Sequence, residues 1–166
     1  MSDKRRHRST IIRAATAADA GVLAAMLDAM NVEDGQPPGR FHEEIVRRDG
    51  FGENPAFSAL LACIDGRAVG YALFLPFYNT ELAQRGLWML DLWIEPRHRR
   101  LDIGRRLVAA LAQRAVTQGR ASLWWTVRNG NVAARAFYAA LGAKDDETRL
   151  LELDGAALSA LAASFD

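Results

Sequence analysis

The sequence predicts an α/β protein in which helices cover both faces of a mixed β-sheet. Segments with the apolar run of a strand and segments with the 3.6-residue period of a helix interleave along the chain. Three strand-like segments follow one another in the middle, at 59–64, 68–75 and 87–94, and Asp65–Gly66 between the first two is a strong hairpin turn. Consecutive strands favour antiparallel pairing and interleaved helices favour crossovers, so a mixed sheet accommodates both.

The elements can be assigned in chain order. Thr10 to Arg13 predicts a first strand. Thr16, with Asp19 three residues later, predicts the start of a helix whose apolar face includes Val22 and Met30, before a loop over 31–39. A helix from Phe41 closed by Gly50 follows, then strands 59–64 and 68–75, the second ended by Pro76. A polar loop over 77–86 leads to the strand 87–94 and to a helix from near Gly104 to near Gly119. The last elements are a strand 121–127, a helix 132–141 capped by Gly142, a strand 148–153 and a helix 155–165.

Composition places this chain among ordinary soluble proteins. Half of its 166 residues are hydrophobic, a quarter are charged and the net charge is +1, which gives no general case for nucleic-acid binding. We expect one domain over 10–166, behind a disordered basic tail at 1–9 that contains no signal peptide. The single cysteine, Cys63, excludes an internal disulfide and fits the cytoplasm. The sequence shows no metal-ligand spacing and no apolar run long enough to span a bilayer, so we expect neither a bound metal nor a membrane partner.

The stretch from Leu87 to Val116 combines a strand, a basic turn and an amphipathic helix. The turn is Arg97-His98-Arg99-Arg100, and Ile103, Leu107 and Leu111 then recur on one helical face. The first N–H groups of a helix lack internal partners, and the helix dipole favours an anion beside them. This arrangement is typical of a phosphate-binding site.

Two motifs resemble those of the GCN5-related N-acetyltransferase family. Residues Arg99 to Gly104 align with the Arg/Gln-x-x-Gly-x-Gly/Ala signature between a strand and a helix, with Asp102 in place of its first glycine. Residues Asn131 to Tyr138 match Asn-x-x-Ala-x-x-Phe-Tyr and are followed by Leu141-Gly142. The resemblance covers residues 10–153 and is closest to the diamine (spermidine/spermine, thialysine) branch, through the stretches Ile12–Asp19, Asp49–Pro55 and Leu90–Ile94.

The resemblance implies a fold and a reaction. The sheet would be mainly antiparallel and splayed where acetyl-CoA binds. The acceptor would be a primary amine of a small molecule, such as a diamine or an amino-acid-like compound, and the protein would be a homodimer without a metal. The strand that contains Trp124 and Trp125 would diverge from the central strand at the splay.

The resemblance also assigns site residues. Tyr138 would protonate the departing CoA thiolate, as a phenol can. Glu33 and Asp34 match the acidic loop that helps to bind the amine, and Trp124, Trp125 and Thr126 would line the acceptor pocket. The cofactor-binding residues would be Leu92, Trp93 and Ile94 for the pantetheine arm, Arg99, Arg100, Leu101, Asp102, Ile103, Gly104 and Arg105 for the pyrophosphate, and Asn131, Val132, Ala133 and Ala134 beside the cofactor.

Three positions require separate comment. Attack needs a neutral amine, so a group must accept a proton, and Asp91 and Glu95 are candidates unless they serve as caps or arginine partners. Asp102 replaces a glycine of the family's phosphate loop, where a Cβ disfavours the expected backbone geometry. Leu90 replaces an acidic residue that the diamine branch uses for its substrate.

Other functions remain open from sequence. Acceptors could instead be protein N-termini or aminoglycosides. Because of Asp102, the chain could also be a non-catalytic acyl-CoA-binding module. A nucleic-acid binder would rest only on the basic clusters at 4–8 and 97–106, and its affinity would fall steeply with salt.

Overall fold

The computed structural model describes residues 10–146 and 150–164, so the basic tail expected at 1–9 lies outside the described residues. The chain divides after Thr126 into two compact units, which are described separately. The strands, all in the first unit, are β1 (Thr10–Ala14), β2 (Ser58–Ile64), β3 (Arg67–Asn79), β4 (Gln84–Ile94) and β5 (Ser122–Trp124). They form one sheet in the order β1-β2-β3-β4-β5, in which only the β4–β5 pair is parallel. The predicted mixed, mainly antiparallel sheet is confirmed.

Helices lie on both faces of this sheet, as predicted. The first unit contains α1 (Ala20–Glu33), α2 (Glu43–Phe51) and α3 (Ile103–Thr117). Leu23 and Leu27 of α1 join Leu61 and Tyr71 of the sheet in one buried cluster. Residues of β2 that alternate with Leu61 are also buried, because α3 covers the opposite face with its own buried stripe. That stripe consists of Ile103, Leu107, Leu111 and Ala115.

The strand predicted to stop at Pro76 continues for three more residues. β3 runs to Asn79 and β4 begins at Gln84, so the expected polar loop over 77–86 is wrong. The reason is the local edge of the sheet: the pairing of β3 with β2 ends at Phe74. Beyond Phe74 the side of β3 away from β4 lies outside that ladder, and a proline there removes no ladder hydrogen bond.

The carboxyl-terminal strands were overestimated. The strand predicted over 121–127 contains only Ser122–Trp124. Another strand was predicted over 148–153. Residues 150–153 are not in a strand, and residues 148 and 149 lie outside the described residues. The second unit instead contains α4 (Val132–Ala140) and α5 (Gly155–Ala162), and the left-handed Gly142 (φ 85°) follows α4 as predicted. Phe165, the expected end of the terminal helix, lies outside the described residues.

Within the described residues, no helix has the length and apolar character that a membrane span requires.

Candidate functional site

The sheet opens between β4 and β5, as the resemblance predicts. The parallel ladder joins only Gly86–Trp88 of β4 to Ser122–Trp124 of β5, whereas the ladder between β4 and β3 continues to Ile94. The N–H of Glu95 donates to the carbonyl of Val69 at 2.9 Å, so the peptide alternation turns the carbonyl of Ile94 towards the open edge. Leu92 therefore also presents its backbone to that edge, while the backbone of Trp93 faces β3.

A turn of 3₁₀-helix, Pro96–His98, ends the strand and begins the basic segment. Its geometry depends on Glu95, whose carboxylate lies 3.0 Å from guanidinium nitrogens of both Arg67 and Arg97 and 2.9 Å from Nδ1 of His98. Partial burial pushes the pKa of Glu95 up, but the hydrogen bond from Arg97 and the charges of Arg67 and Arg97 outweigh it and hold the pKa below its ordinary value. Glu95 therefore acts as a structural anchor, which favours Asp91 as the proton acceptor.

The segment that leads into α3 contains two residues in the left-handed conformation. Arg100 and Asp102 both have φ near 61°, a region that is costly for residues with a Cβ and better tolerated by Asp than by most. The first intrahelical bond runs from the N–H of Arg106 to the carbonyl of Asp102 at 3.1 Å. The N–H groups of Ile103, Gly104 and Arg105 thus precede the helical ladder, at the helix end where the sequence predicts that an anion binds.

Arg99 has a different position from the one expected. Its N–H donates to the carbonyl of Pro96 (3.3 Å), because the 3₁₀ turn captures it. Its Nε donates to the carbonyl of Ile94 (2.8 Å), and its Nη2 lies 2.6 and 2.9 Å from the carboxylate oxygens of Glu33. The expectation that the Arg99 N–H contributes to the pyrophosphate loop is therefore corrected, and the loop donors lie further along the chain.

Acidic side chains gather at the carboxyl end of α1. Glu33 was expected to lie in a loop, but it is the last residue of this helix, and Asp34 follows it. Asp91 lies opposite Leu73 on the face that packs against α1. Burial raises the pKa of the Tyr71 phenol, and the negative charges of Asp91, Asp34 and Glu33 raise it further. One buried phenol therefore lies within the electrostatic influence of all three acids.

The environment of Asp91 suits a base. Burial raises the pKa of its carboxyl group, and the negative charge of Asp34 adds to the shift. Leu90 beside it is 41 % exposed and is the extra residue at an irregularity in the β3–β4 ladder. Because Leu90 stands where the diamine branch has an acidic residue, Asp91 is the acidic residue of this β4 segment.

The loop after α1 is held in place by the helix itself. The Asp28 carboxylate accepts hydrogen bonds from the N–H groups of Gly39 (2.8 Å) and Arg40 (3.0 Å). These bonds, the Gly39 bond foremost, lower the pKa of Asp28. The loop that begins with Asp34 is therefore closed back onto α1 by a second carboxylate.

Aromatic side chains lie near the point where β4 and β5 separate. The ring of Phe77 is 5.5 Å from that of Trp88 and 5.6 Å from that of Trp124, between centroids. Trp124 and Trp125 are half-buried and Thr126 is exposed. Sequence reasoning missed Phe77, Trp88 and Tyr71; the alternation Val69-Tyr71-Leu73 could have placed Tyr71 on the face that packs against α1.

The second unit contains the other predicted motif. Asn131 caps α4, because its Oδ1 accepts a hydrogen bond from the N–H of Ala134 at 3.1 Å. Val132, Ala133 and Ala134 form the first turn. Tyr138 is half-buried, with its ring centroid 5.0 Å from that of Phe137. The motif thus forms the helix that the sequence predicts, and Asn131 supplies an N-cap that was not predicted.

Comparison with known proteins identifies the family. The profile of the acetyltransferase (GNAT) family matches residues 24–143. A thialysine N-epsilon-acetyltransferase from Sus scrofa is 31% identical over 146 residues, which cover 82% of this chain and 85% of that protein; the one from Mus musculus is 32% identical with the same coverage. An L-ornithine N5-acetyltransferase from Arabidopsis thaliana is 38% identical over 93 residues, 55% of this chain and 41% of that protein.

Solved structures agree on the fold. An integron cassette protein from V. cholerae superposes with a TM-score of 0.78 at 22% identity, covering 94% of this chain and 99% of the other. A ribosomal-protein-alanine N-acetyltransferase from Brucella melitensis has a TM-score of 0.73 at 21% identity, with 87% and 99% covered. The chain belongs to the GNAT acetyltransferase family. It is an acetyl-CoA-dependent N-acetyltransferase.

Proposed function

We propose that the acceptor is a small amine with a second charged group, either a diamine or an amino-acid-like compound. Thialysine and ornithine, named for two of the relatives, are both amino acids with a side-chain amine. The observation that carries the proposal is the group of three acids at the carboxyl end of α1, Glu33, Asp34 and Asp91, whose charges all act on Tyr71 of the neighbouring strand β3. Such a cluster attracts a cation, and the resemblance assigns this end of α1 to the amine.

In this proposal Asp91 accepts the proton of the bound ammonium. A raised pKa brings a carboxylate closer to the operating pH and makes it a more effective base. Asp34 holds the amine through its charge. The half-buried aromatic side chains near Trp124, with Trp125 and Thr126 further along, line the acceptor's uncharged part.

The same proposal assigns residues to acetyl-CoA. The backbone of Leu92 and Ile94 pairs with the pantetheine arm, and the N–H groups from Arg100 to Arg105 bind the pyrophosphate. The first turn of α4, from Asn131 to Ala134, contacts the cofactor, as the motif implies. These features support the fit: a strand edge beyond the ladder with β5 for an amide-bearing arm, and a helix N-terminus for an anion.

The proposed reaction transfers one acetyl group to the amine and releases one proton. The ammonium loses one proton to Asp91, its nitrogen attacks the thioester carbonyl, and the C–N bond forms as the C–S bond breaks. Tyr138 gives its proton to the leaving thiolate and regains one when the second nitrogen proton is released as the amide forms. Asp91 gives its proton to solvent, which is the H⁺ of the net reaction. The net reaction converts R–NH₃⁺ and acetyl-CoA into R–NH–COCH₃, CoA–SH and H⁺.

Cellular context forms a further part of the proposal. We infer a cytoplasmic homodimer with one acetyltransferase domain over 10–166, without nucleic-acid or membrane partners. The single Cys63 supports a reducing compartment. The family match runs across the boundary at Thr126, which supports one domain. Light scattering during gel filtration tests the dimer, and a monomer mass would contradict it.

A turnover screen tests the acceptor. Purified protein with acetyl-CoA is assayed for free thiol release with L-ornithine, thialysine, spermidine, sisomicin and a peptide with a free N-terminus, and acetyl-CoA binding is measured by calorimetry. We expect the highest kcat/KM among the first three amines. A preference for sisomicin or for the peptide contradicts the acceptor class, and binding without turnover of any amine contradicts the catalytic assignment.

A further inference from the structure

One guanidinium connects three parts of the candidate site. Arg99 lies in the basic segment, and its Nη2 contacts both carboxylate oxygens of Glu33 at 2.6 and 2.9 Å. Its Nε donates to the Ile94 carbonyl at 2.8 Å. A single side chain therefore joins the phosphate loop, the open edge of β4 and the end of α1, which is 66 residues away in sequence.

Glu33 also accepts a hydrogen bond from a core residue. The indole Nε1 of Trp93 donates to Oε2 of Glu33 at 3.2 Å. Trp93 is buried among the residues that pack against α1, where its ring stacks on Tyr71 with centroids 6.2 Å apart. The two donors fix the Glu33 carboxylate between a loop residue and a buried ring, although the Glu33 and Arg99 side chains are 38% and 45% exposed.

This geometry assigns Glu33 and Asp34 different tasks. Exposed ion pairs contribute little to stability by themselves, so the Arg99–Glu33 pair is not explained by stability. Glu33 accepts hydrogen bonds from two groups of the protein itself, on Trp93 and Arg99. The negative charge of the adjacent Asp34 raises the pKa of Asp91. Glu33 thus orients the end of α1, and Asp34 follows on the same helix end.

We propose that Arg99 and Glu33 are a pair of positioning residues that couples acetyl-CoA binding to acceptor binding. The inference rests on the proposed function, since Arg99 directly precedes the N–H groups assigned to the pyrophosphate and Glu33 precedes Asp34, which is assigned to the amine. A cofactor bound at the N–H groups that follow Arg99 fixes the backbone of this segment, and the Arg99 guanidinium transmits that constraint through Glu33 to the end of α1. By linkage, the amine strengthens cofactor binding by the same factor.

The coupling is measured without turnover by using CoA in place of acetyl-CoA. Calorimetry gives the Kd of CoA with and without saturating L-ornithine, or the screened amine with the highest kcat/KM if that is another. We expect the amine to lower the Kd of the wild type about tenfold. In Glu33→Gln and in Arg99→Lys, which lose the charge or the planar fork of the pair, the ratio should fall below about twofold.

Two controls separate positioning from direct binding. Asp34→Asn should weaken ornithine binding yet keep the wild-type ratio once ornithine is saturating. Arg47→Lys alters a comparable exposed pair with Glu43 on α2 and should change neither Kd nor ratio. Thermal unfolding of each variant establishes that the fold is retained.

Several results would overturn the coupling. They are a wild-type ratio near one, an unchanged ratio in folded Glu33→Gln, an equal loss of the ratio in Asp34→Asn, or complete loss of ornithine binding in Glu33→Gln with CoA binding intact. The last would make Glu33 a direct ligand of the amine. Wild-type turnover with a ratio near one contradicts the coupling alone, whereas a lack of both CoA binding and turnover contradicts the proposed function.

Discussion

The two ends of α1 both contain acidic residues, in opposite electrostatic settings. At the start, Asp19 accepts hydrogen bonds from Arg13 at 2.7 and 2.8 Å and from the N–H of Thr16 at 2.8 Å, as the predicted capping box requires. Arg13, ahead of every other favourable contact, holds the pKa of Asp19 far below its ordinary value. At the end, Glu33 is paired with Arg99, but Asp34 stands where the helix dipole disfavours negative charge, and Asp91 has a raised pKa.

This difference teaches which carboxylates serve the fold and which serve the reaction. Asp19 adds stability that is present above its unfolded pKa of about 3.9 and is lost as pH falls below that value. Asp91 has the opposite sign: it binds its proton more tightly when folded, so its contribution falls as pH rises above about 3.9. The candidate site is therefore the place where the fold holds negative charges that lower its own stability.

The largest expected effect concerns a group at neither end of α1. Tyr138→Phe removes only the hydroxyl and keeps the ring, so kcat should fall by roughly 10² to 10⁴ while acetyl-CoA affinity changes little. Steady-state kinetics and calorimetry measure the two. Near wild-type turnover across the pH range, with chemistry rate-limiting, would remove Tyr138 from the role of acid and leave the α1 end as the only assigned proton-transfer site.

The start of α1 should respond in stability alone. Asp19→Asn loses charged hydrogen bonds to Arg13 and should lower the free energy of unfolding by about 2 kcal/mol, with kcat and KM unchanged. Urea denaturation at pH 7 and at pH 3 measures this. The deficit should shrink at pH 3, where the wild-type unfolded chain is largely protonated; a deficit that is the same at both pH values would exclude the ion pair as its cause.

The end of α1 should respond in substrate binding alone. Asp34→Asn removes one charge facing the amine and should raise KM for L-ornithine about tenfold, with kcat within about twofold, because the interaction exists before and during the reaction. The KM for acetyl-CoA is the internal control. An unchanged amine KM would end the distinction between the two ends of the helix.

The smallest effect is expected at the phosphate loop. Asp102→Gly relieves the left-handed backbone at φ 61° and removes a negative charge, so stability should rise by about 0.5 kcal/mol and CoA affinity should hold or improve. Ala83→Gly, at φ 50° in the β3–β4 hairpin, is the matched control and should leave CoA affinity unchanged. A loss of CoA affinity in folded Asp102→Gly would show that the carboxylate itself contributes.

Sequence reasoning reached the local features of the site but not its long-range contacts. The strand, basic turn and helix around Arg99 to Gly104 are encoded by neighbouring residues, so pattern and motif predict them. The Arg99–Glu33 pair joins residues 66 positions apart. The extension of β3 past Pro76 depends on where β2 ends. Neither follows from local sequence, and the raised pKa of Asp91 depends on burial that only the folded chain creates.

The most direct test of the account is Asp91→Asn, measured for kcat and for the free energy of unfolding in the same preparation. The substitution keeps the shape and removes the base, and it also removes a charge that the fold disfavours. We expect kcat to fall by roughly 10² to 10⁴ while the free energy of unfolding at pH 7 stays the same or rises. Turnover near the wild-type rate, or a loss of stability like that of Asp19→Asn, would contradict the assignment of this carboxylate to the reaction.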